Sequence, residues 1–140
     1  MNNRNTSGKP PVVPVILQSS MLFLFYETPF FTRRVTELMD DEMYRHLQNT
    51  LLHEPTKGEV MRDCGGIRKI RLASVRRGKG KRGGLRVIYL HIPEANCIYF
   101  ITVYGKDEQD DLDASQKRQL AALARQIKEA LLQKRRSKKD

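Results

Sequence analysis

From residue 67 the sequence alternates apolar and polar side chains with a period of two, which is typical of a β-strand. In the first segment apolar residues point to one face, whereas Lys69 and Arg71 point to the other. Two further apolar segments, 85–92 and 97–104, follow and are joined by a short Pro-Glu-Ala-Asn connection. The pattern predicts three consecutive antiparallel strands, and the fold must be built around that sheet.

Helical periodicity replaces this pattern on both sides of the three strands. A short apolar strand, 22–27, leads to Thr28 and a proline, a pair that favours the start of a helix, and the acidic run at Asp40 opens a second helix. Asp113 and Gln116 have the spacing of a capping box before an amphipathic C-terminal helix. We therefore predict an α+β fold with two N-terminal helices and a C-terminal helix packed on one face of a largely antiparallel sheet, which leaves the other face or its edge free to bind.

The two ends of the chain do not share this periodicity. Residues 1–20 mix Asn, Ser, Pro and Gly and predict a flexible N-terminal extension outside the fold, and 134–140 form a basic C-terminal tail. A single domain is expected at 21–133. Prolines interrupt the apolar stretch near the N-terminus, so neither a membrane span nor a signal peptide is predicted. Two isolated cysteines fit a reducing compartment, and we expect a cytoplasmic protein.

Positive charge is concentrated in one part of the sequence. The chain has 26 Lys and Arg against 16 Asp and Glu, and residues 62–86 alone contain ten basic residues and a single acid. The run RRGKGKRGG at 76–84 combines basic residues with glycines and predicts a mobile basic loop between two strands. Such clustering favours contact with nucleic-acid phosphates over a merely solvated surface, although charge alone also suits an anionic membrane or an acidic protein.

Four segments of the sequence resemble the HigB branch of the RelE-like toxins: FYETPFFTRRVTELMDDEMYRHLQ, GGIRKIRLA, KRGGLRVIYLHI and YFITVYGKDEQDDLDASQKRQL. The resemblance covers residues 22–132. It implies a RelE-like toxin domain that acts as an mRNA interferase, an endoribonuclease that cleaves messenger RNA on the ribosome and blocks translation. The implied partners are the ribosome with its mRNA and a HigA-like helix-turn-helix antitoxin, through which alone the toxin would reach operator DNA. No membrane contact is implied.

The implied cleavage uses no metal ion and no other cofactor. A 2′-OH is deprotonated and attacks phosphorus, the phosphate gains negative charge, and the leaving 5′-oxygen is protonated. Clustered cations can serve these steps, because like charges at short range favour the neutral amine of a lysine while arginine stays charged. The cysteines and histidines lack metal-ligand spacing, and the acidic run at 107–113 fits a helix N-terminus better than a cation site.

The resemblance assigns catalytic roles to basic residues of the predicted strands. Lys69 is the candidate general base, and Arg71 and Arg86 are candidate clamps for the transition state, although these roles can be exchanged. Lys106 matches the lysine of the family's Gly-Lys pair. We expect Arg71 and Arg86 outside the apolar core. The residues expected to bind the RNA backbone are Arg68, Arg76, Arg77, Lys79, Lys81 and Arg82.

One departure from the family pattern concerns the proton donor. The best-known RelE proteins have an arginine directly after the lysine and a tyrosine shortly beyond, where this sequence has Asp107 and then Leu112 or Asp113. Tyr104 and Tyr89 are therefore the candidates for protonating the 5′-oxygen.

Other interpretations remain open at this point. A non-catalytic RNA- or DNA-binding module, such as a ribosome-associated factor, uses the same residues, because each candidate catalytic side chain also binds phosphate. A third interpretation, a subunit that only binds other proteins, does not account for the basic loop. Lys69 and Arg71 also fit the solvated face of an edge strand. Lys106 also fits a pair with nearby acids. Both tyrosines also fit ordinary core positions.

Overall fold

A computed structural model describes residues 12–16, 22–73, 84–106, 108 and 112–139, with side chains described within 22–133. The predicted strand before the first helix, the two N-terminal helices, the three consecutive strands and the C-terminal helix are all confirmed. The elements are β1 (Val12–Ile16), β2 (Leu22–Glu27), α1 (Pro29–Leu38), α2 (Asp41–His53), β3 (Glu59–Val60), β4 (Arg68–Leu72), β5 (Leu85–Ile92), a 3-10 turn (Pro93–Ala95), β6 (Cys97–Gly105) and α3 (Ala114–Lys139).

All six strands of the described residues join one sheet in the order β1-β2-β6-β5-β4-β3. Strand β2 runs parallel to β6, and every other neighbouring pair is antiparallel. The prediction of a largely antiparallel sheet is therefore confirmed. The strands β4, β5 and β6 form the predicted meander, which places β5 between two hydrogen-bonded neighbours.

Strand β1 was not predicted. Residues 1–20 were expected to lie outside the fold, and this is wrong for Val12–Ile16, which pairs antiparallel with β2 along its whole length. Apart from Pro14, the strand consists of valine and isoleucine, whose branched side chains favour extended backbone. Pro14 is tolerated because β1 lies at the edge of the sheet, where one side of the strand has no partner.

The three helices cover both faces of the sheet. One core cluster joins α1 and α2 to alternate residues of the central strand, including Val87 and Tyr89, whereas a second cluster joins α3 to Ile88 and Leu90. The prediction that all helices lie on one face is therefore wrong. The physical reason is that β5 is apolar on both sides, and a strand of that kind must be covered twice.

The predicted caps are present at the first two helices. Thr28 accepts a hydrogen bond from Phe31 N at 3.1 Å and donates to Ile101 O at 2.6 Å. Ile101 is the extra residue of a β-bulge in β6, so the start of α1 is fixed to this strand at the bulge. Asp40 accepts from Met43 N at 2.8 Å and caps α2.

Helix α3 begins at the predicted capping box, in which Asp113 and Gln116 bond to each other's backbone N–H at 2.8 and 2.9 Å. The helix continues to Lys139, so the predicted basic tail at 134–140 is helical through residue 139. None of the helices in the described ranges combines the length and apolar character required to cross a membrane.

A glycine pair shapes the loop before β4. Gly65 and Gly66 have φ values of +68° and +92°, which side chains rarely adopt. A Cβ on Gly65 would lie 3.2 Å from the Ala124 side chain of α3. Lys128 Nζ donates to Gly65 O at 3.0 Å. The pair thus lets this loop contact α3 closely.

Candidate active site

Three candidate residues form a row across β4, β5 and β6, near one end of each strand. Arg71 of β4 lies opposite Arg86 of β5, and Arg86 lies opposite Tyr104 of β6. Side chains of opposed residues in antiparallel strands lie on the same face with Cβ atoms about 5 Å apart. Lys69 precedes Arg71 by two positions and shares that face. The face is the one on which α3 packs.

The members of the row differ in burial. Arg71 is exposed and the adjacent Lys69 is partly exposed. Tyr104 and Arg86 are both buried, with 6% and 7% of their surface accessible. The prediction that Arg86 lies outside the apolar core is therefore wrong, and for Arg71 it holds. The reason is the central position of β5, which has a strand on each side and helices on both faces.

A cavity of about 370 Å³ brings the cations together. Arg71, Arg86 and Lys106 line it. The backbone N–H of Lys106 donates to Gly84 O at 3.0 Å, which fixes the turn after β6 to the residue before β5. The volume lies within the usual range for ligand sites. The remaining lining residues are Leu72, Ala73 and Gly84.

The cavity is positively charged, and no carboxylate of the described residues pairs with its cations. In the part of the chain that the structure describes, both ion pairs involve Arg34, so no acid lies within 4.0 Å of the charged nitrogens of Arg71, Arg86 or Lys106. A buried guanidinium that lacks an anion is costly, and an anionic ligand offsets that cost. The arrangement is suited to binding a phosphate group.

Lys69 and Arg68 lie outside this cavity lining. Arg68 is on the opposite face from Lys69, and its guanidinium donates to Thr56 O at 3.1 Å and to Gly58 O at 2.7 Å. These bonds attach the loop after α2 to the sheet. The described hydrogen bonds of Arg68 stabilise the fold. Contact between Arg68 and RNA stays a prediction.

Most of the predicted RNA-binding residues lie outside the described residues, within 74–83. Ala73 and Gly84, which flank that segment in the sequence, both line the cavity. The residues concerned are Arg76, Arg77, Lys79, Lys81 and Arg82.

The two candidate proton donors lie on opposite faces of the sheet. Tyr89 is fully buried with α1 and α2, and its hydroxyl accepts from Gly58 N at 2.9 Å and donates to Pro55 O at 2.8 Å. Burial raises the pKa of Tyr89, although the Gly58 bond and the Arg68 charge oppose the increase. Tyr104 lies on the face of Arg86 and lines a neighbouring cleft of about 430 Å³ between α1, β6 and α3. Geometry therefore favours Tyr104.

Two further residues, which line the neighbouring cleft of about 430 Å³, were missed by the sequence analysis. Glu108, two positions after Lys106, forms an ion pair with Arg34 of α1 at 2.5 Å. The sequence contains no signal for this pair, because 74 residues separate its members. The alternative in which Lys106 pairs with nearby acids is not met by Glu108, which pairs with Arg34, and Asp113 caps α3 as the acidic run predicts.

No group of three or more histidine, cysteine or carboxylate side chains among the described residues is arranged to hold a metal ion. Three acids of the run, Asp107, Asp110 and Asp111, lie outside those residues. Metal-independent chemistry therefore stays a prediction.

The fold and the cationic cavity define a small α+β protein with a site suited to phosphate. A protein-family model described as "RelE toxin of RelE / RelB toxin-antitoxin system" matches residues 26–138, which is most of the chain. The chain belongs to this family of toxins, and an antitoxin partner and action at the ribosome follow from that membership. The matched range contains every candidate site residue.

Proposed function

We propose that this toxin is a ribosome-dependent mRNA endoribonuclease of the HigB branch. The cavity lined by Arg71, Arg86 and Lys106, in which no described carboxylate neutralises the cations, is the observation that carries the proposal. The toxin acts in the cytoplasm, where ribosomes and mRNA meet. It inhibits translation by cutting the message.

The reaction is transfer of the phosphodiester to the adjacent ribose. The 2′-OH gives its proton to a base, the O2′–P bond forms, the P–O5′ bond breaks, and the 5′-oxygen takes up a proton. The products are a 2′,3′-cyclic phosphate and a 5′-OH. Each proton and each bond is thus accounted for without a metal ion or cofactor.

The arginines are assigned to the phosphate. Arg71 and Arg86 line the same cavity and lie opposite each other on β4 and β5, so they bind a phosphate between them and stabilise the charge that develops. A bidentate guanidinium suits this role. Their fixed backbone positions supply the preorganisation that such stabilisation requires.

The lysines and Tyr104 are assigned to proton transfer. Lys106 lines the cavity with both arginines, which favours it as the group that meets the ribose or the leaving oxygen. Lys69 shares their face, two positions from Arg71, and is the alternative general base. Tyr104, opposite Arg86, is the candidate proton donor.

Cleavage of a ribosome-bound message tests the proposal. Purified toxin is added to ribosomes stalled on a defined mRNA, and the fragments are mapped and their ends identified. We expect cuts with 2′,3′-cyclic phosphate and 5′-OH ends, and none without ribosomes. Tight ribosome binding without cleavage would favour a non-catalytic RNA-binding module instead.

Metal independence has a separate test. Divalent metal is titrated into the isolated toxin by calorimetry, because ribosomes themselves require magnesium. We expect no tight binding. Stoichiometric tight binding would contradict the metal-free mechanism.

The partner is a HigA-like helix-turn-helix antitoxin, through which alone the toxin reaches operator DNA. The ten basic residues among 62–86 favour an antitoxin surface that is acidic near the sheet. Association is then fast and slows as salt is added. An association rate that does not change with ionic strength would contradict this interface.

A further inference from the structure

The turn that carries Lys106 is held at both ends. Strand β6 ends at Gly105, and the backbone N–H of Glu108 donates to Gly105 O at 3.0 Å, which closes a turn around Lys106. The N–H of Lys106 itself donates to Gly84 O at 3.0 Å. These bonds set the backbone of Lys106 beside Gly84, the residue before β5.

The Glu108 carboxylate completes this arrangement. Its Oε1 accepts from Gly105 N at 2.8 Å. The N–H of Lys106 points toward β5, so the preceding N–H of Gly105 points to the other edge of β6. Strand β2 pairs with β6 only as far as Phe100, and among the described residues no other strand pairs with that edge. Glu108 therefore binds the N–H that β2 does not reach.

Arg34 fixes the carboxylate from outside the sheet. Its Nη2 donates to both oxygens of Glu108, at 2.6 and 2.5 Å. Arg34 belongs to α1, which Thr28 attaches to β6 at the bulge. The turn is thus connected to a helix that is itself fixed to the same strand.

The pair also has an electrostatic effect on the cavity. A carboxylate two residues from Lys106 would attract the cavity cations if it had no partner. Bound to Arg34, Glu108 forms no ion pair with Lys106 or Arg86 within the described residues. The lysine is left available for an anionic ligand.

We propose that Arg34 and Glu108 are a positioning pair that fixes the turn of Lys106 beside Arg86 and keeps the acid away from both cations. This inference rests on the proposed nuclease function. Neither residue contacts the RNA. Both act through the placement of Lys106.

The test compares Arg34→Ala, Glu108→Ala and the double variant with wild-type toxin. Glu37→Ala is the matched control, because Glu37 pairs with the same arginine at 3.4 Å on α1 but does not reach the turn. We expect each single variant to lower the cleavage rate at saturating toxin about tenfold to a hundredfold, with ribosome affinity unchanged. The double variant should match the singles, because one unit is lost in all three. Glu37→Ala should cleave normally.

A second measurement follows the turn directly. Hydrogen exchange at the Gly105 amide should accelerate in Arg34→Ala and Glu108→Ala but not in Glu37→Ala, with global unfolding measured by urea to exclude general loss of structure. Unchanged exchange, or weaker ribosome binding in Arg34→Ala alone, would overturn the proposal and indicate an RNA contact. If wild-type toxin cleaved nothing, the nuclease function would fail, whereas the exchange data would still decide whether the pair orders the turn.

Discussion

Tyr89 and Arg86 lie three positions apart on β5, and the protein buries both, but on opposite faces of the sheet. The hydroxyl of Tyr89 makes two hydrogen bonds, to Gly58 and Pro55, in the core under α1 and α2. The Arg86 guanidinium makes no hydrogen bond or ion pair with another described residue, and it lines a cavity. On one face of the strand the polar group has its hydrogen bonds, whereas on the other the cation has no partner among the described residues.

The difference separates stability from function. A buried polar group with its bonds made contributes to the fold, whereas a buried charge without a counter-ion costs folding free energy. The second arrangement is useful only if a ligand supplies the missing charge. We therefore expect substitutions at the two positions to affect different measured quantities.

The largest effect is expected for Arg86→Met, which keeps the volume of the side-chain stem and removes its charge. Loss of one preorganised cation from the transition state should cost about 3 kcal/mol, or at least about a hundredfold in the cleavage rate. The free energy of unfolding should not fall, because the charge that is removed has no counter-ion among the described residues. Rates at saturating toxin and urea unfolding measure the two quantities.

Arg45→Ala is the control for Arg86→Met, because Arg45 is an exposed arginine on α2 and its loss changes the net charge equally. It should leave the rate unchanged. A strongly destabilised Arg86→Met protein would mean that the arginine serves the fold, and the contrast with Tyr89 would disappear.

Tyr89→Phe should have the reverse effect. The substitution leaves the Gly58 N–H and the Pro55 carbonyl in a buried site without their partner, which should cost about 2 kcal/mol of unfolding free energy. The cleavage rate per folded molecule should stay at the wild-type value. A large drop in that rate, measured at saturating toxin, would assign Tyr89 to the chemistry instead of Tyr104.

The fold was largely accessible from the sequence because its elements have local signals. Thr28 and Asp40 mark helix starts by their own chemistry, and the period of two marks the strands. The position of α3 on the second face was not predicted, although the continuous run of apolar and aromatic residues at 87–90 in β5 contains that information. Strand β1 was missed because Pro14 and polar neighbours obscure a short β-branched segment.

The site was accessible only in part. Alternation placed Lys69 and Arg71 on one face, and the family resemblance added Arg86 and Lys106. Burial of Arg86 depends on which strands flank β5, and that is a property of the sheet order. The pairing of Arg34 with Glu108 depends on the packing of α1 against β6, for which residues so distant in sequence give no periodic signal.

A smaller effect is expected for substitutions of the basic residues in the 76–84 run. Each of these is one of several phosphate contacts, whereas each cavity arginine is expected to have a role that no other residue can fill. Lys79→Ala should weaken ribosome binding a few-fold and reduce its salt dependence, because it removes one of several phosphate contacts. The maximal cleavage rate should stay the same. Affinity titrations at two salt concentrations, with rates at saturation, separate the two. A lost rate with intact affinity would place the active site in this run.

The smallest effect concerns His91, which shares the Tyr89 face of β5 two positions further on. Burial lowers the pKa of His91 below its ordinary value of 6.5, and the nearby charge of Arg68 lowers it further, while Glu94 opposes the decrease. The folded protein therefore favours the neutral imidazole, and below pH 6.5 the unfolded chain binds more protons than the folded one. The resulting stability is complete above that pH and is lost as the pH falls through the folded-state pKa.

His91→Gln should remove this contribution, since glutamine does not titrate. Urea unfolding of both proteins at about pH 8 and about pH 5 should show a smaller acid-side loss in the variant, by less than the Tyr89→Phe effect. Carboxylates titrate in the same way in both proteins and cancel in the comparison. Equal losses would show that His91 is solvated in the folded state. On this face of β5, water would then satisfy the imidazole of His91, whereas protein groups satisfy the hydroxyl of Tyr89.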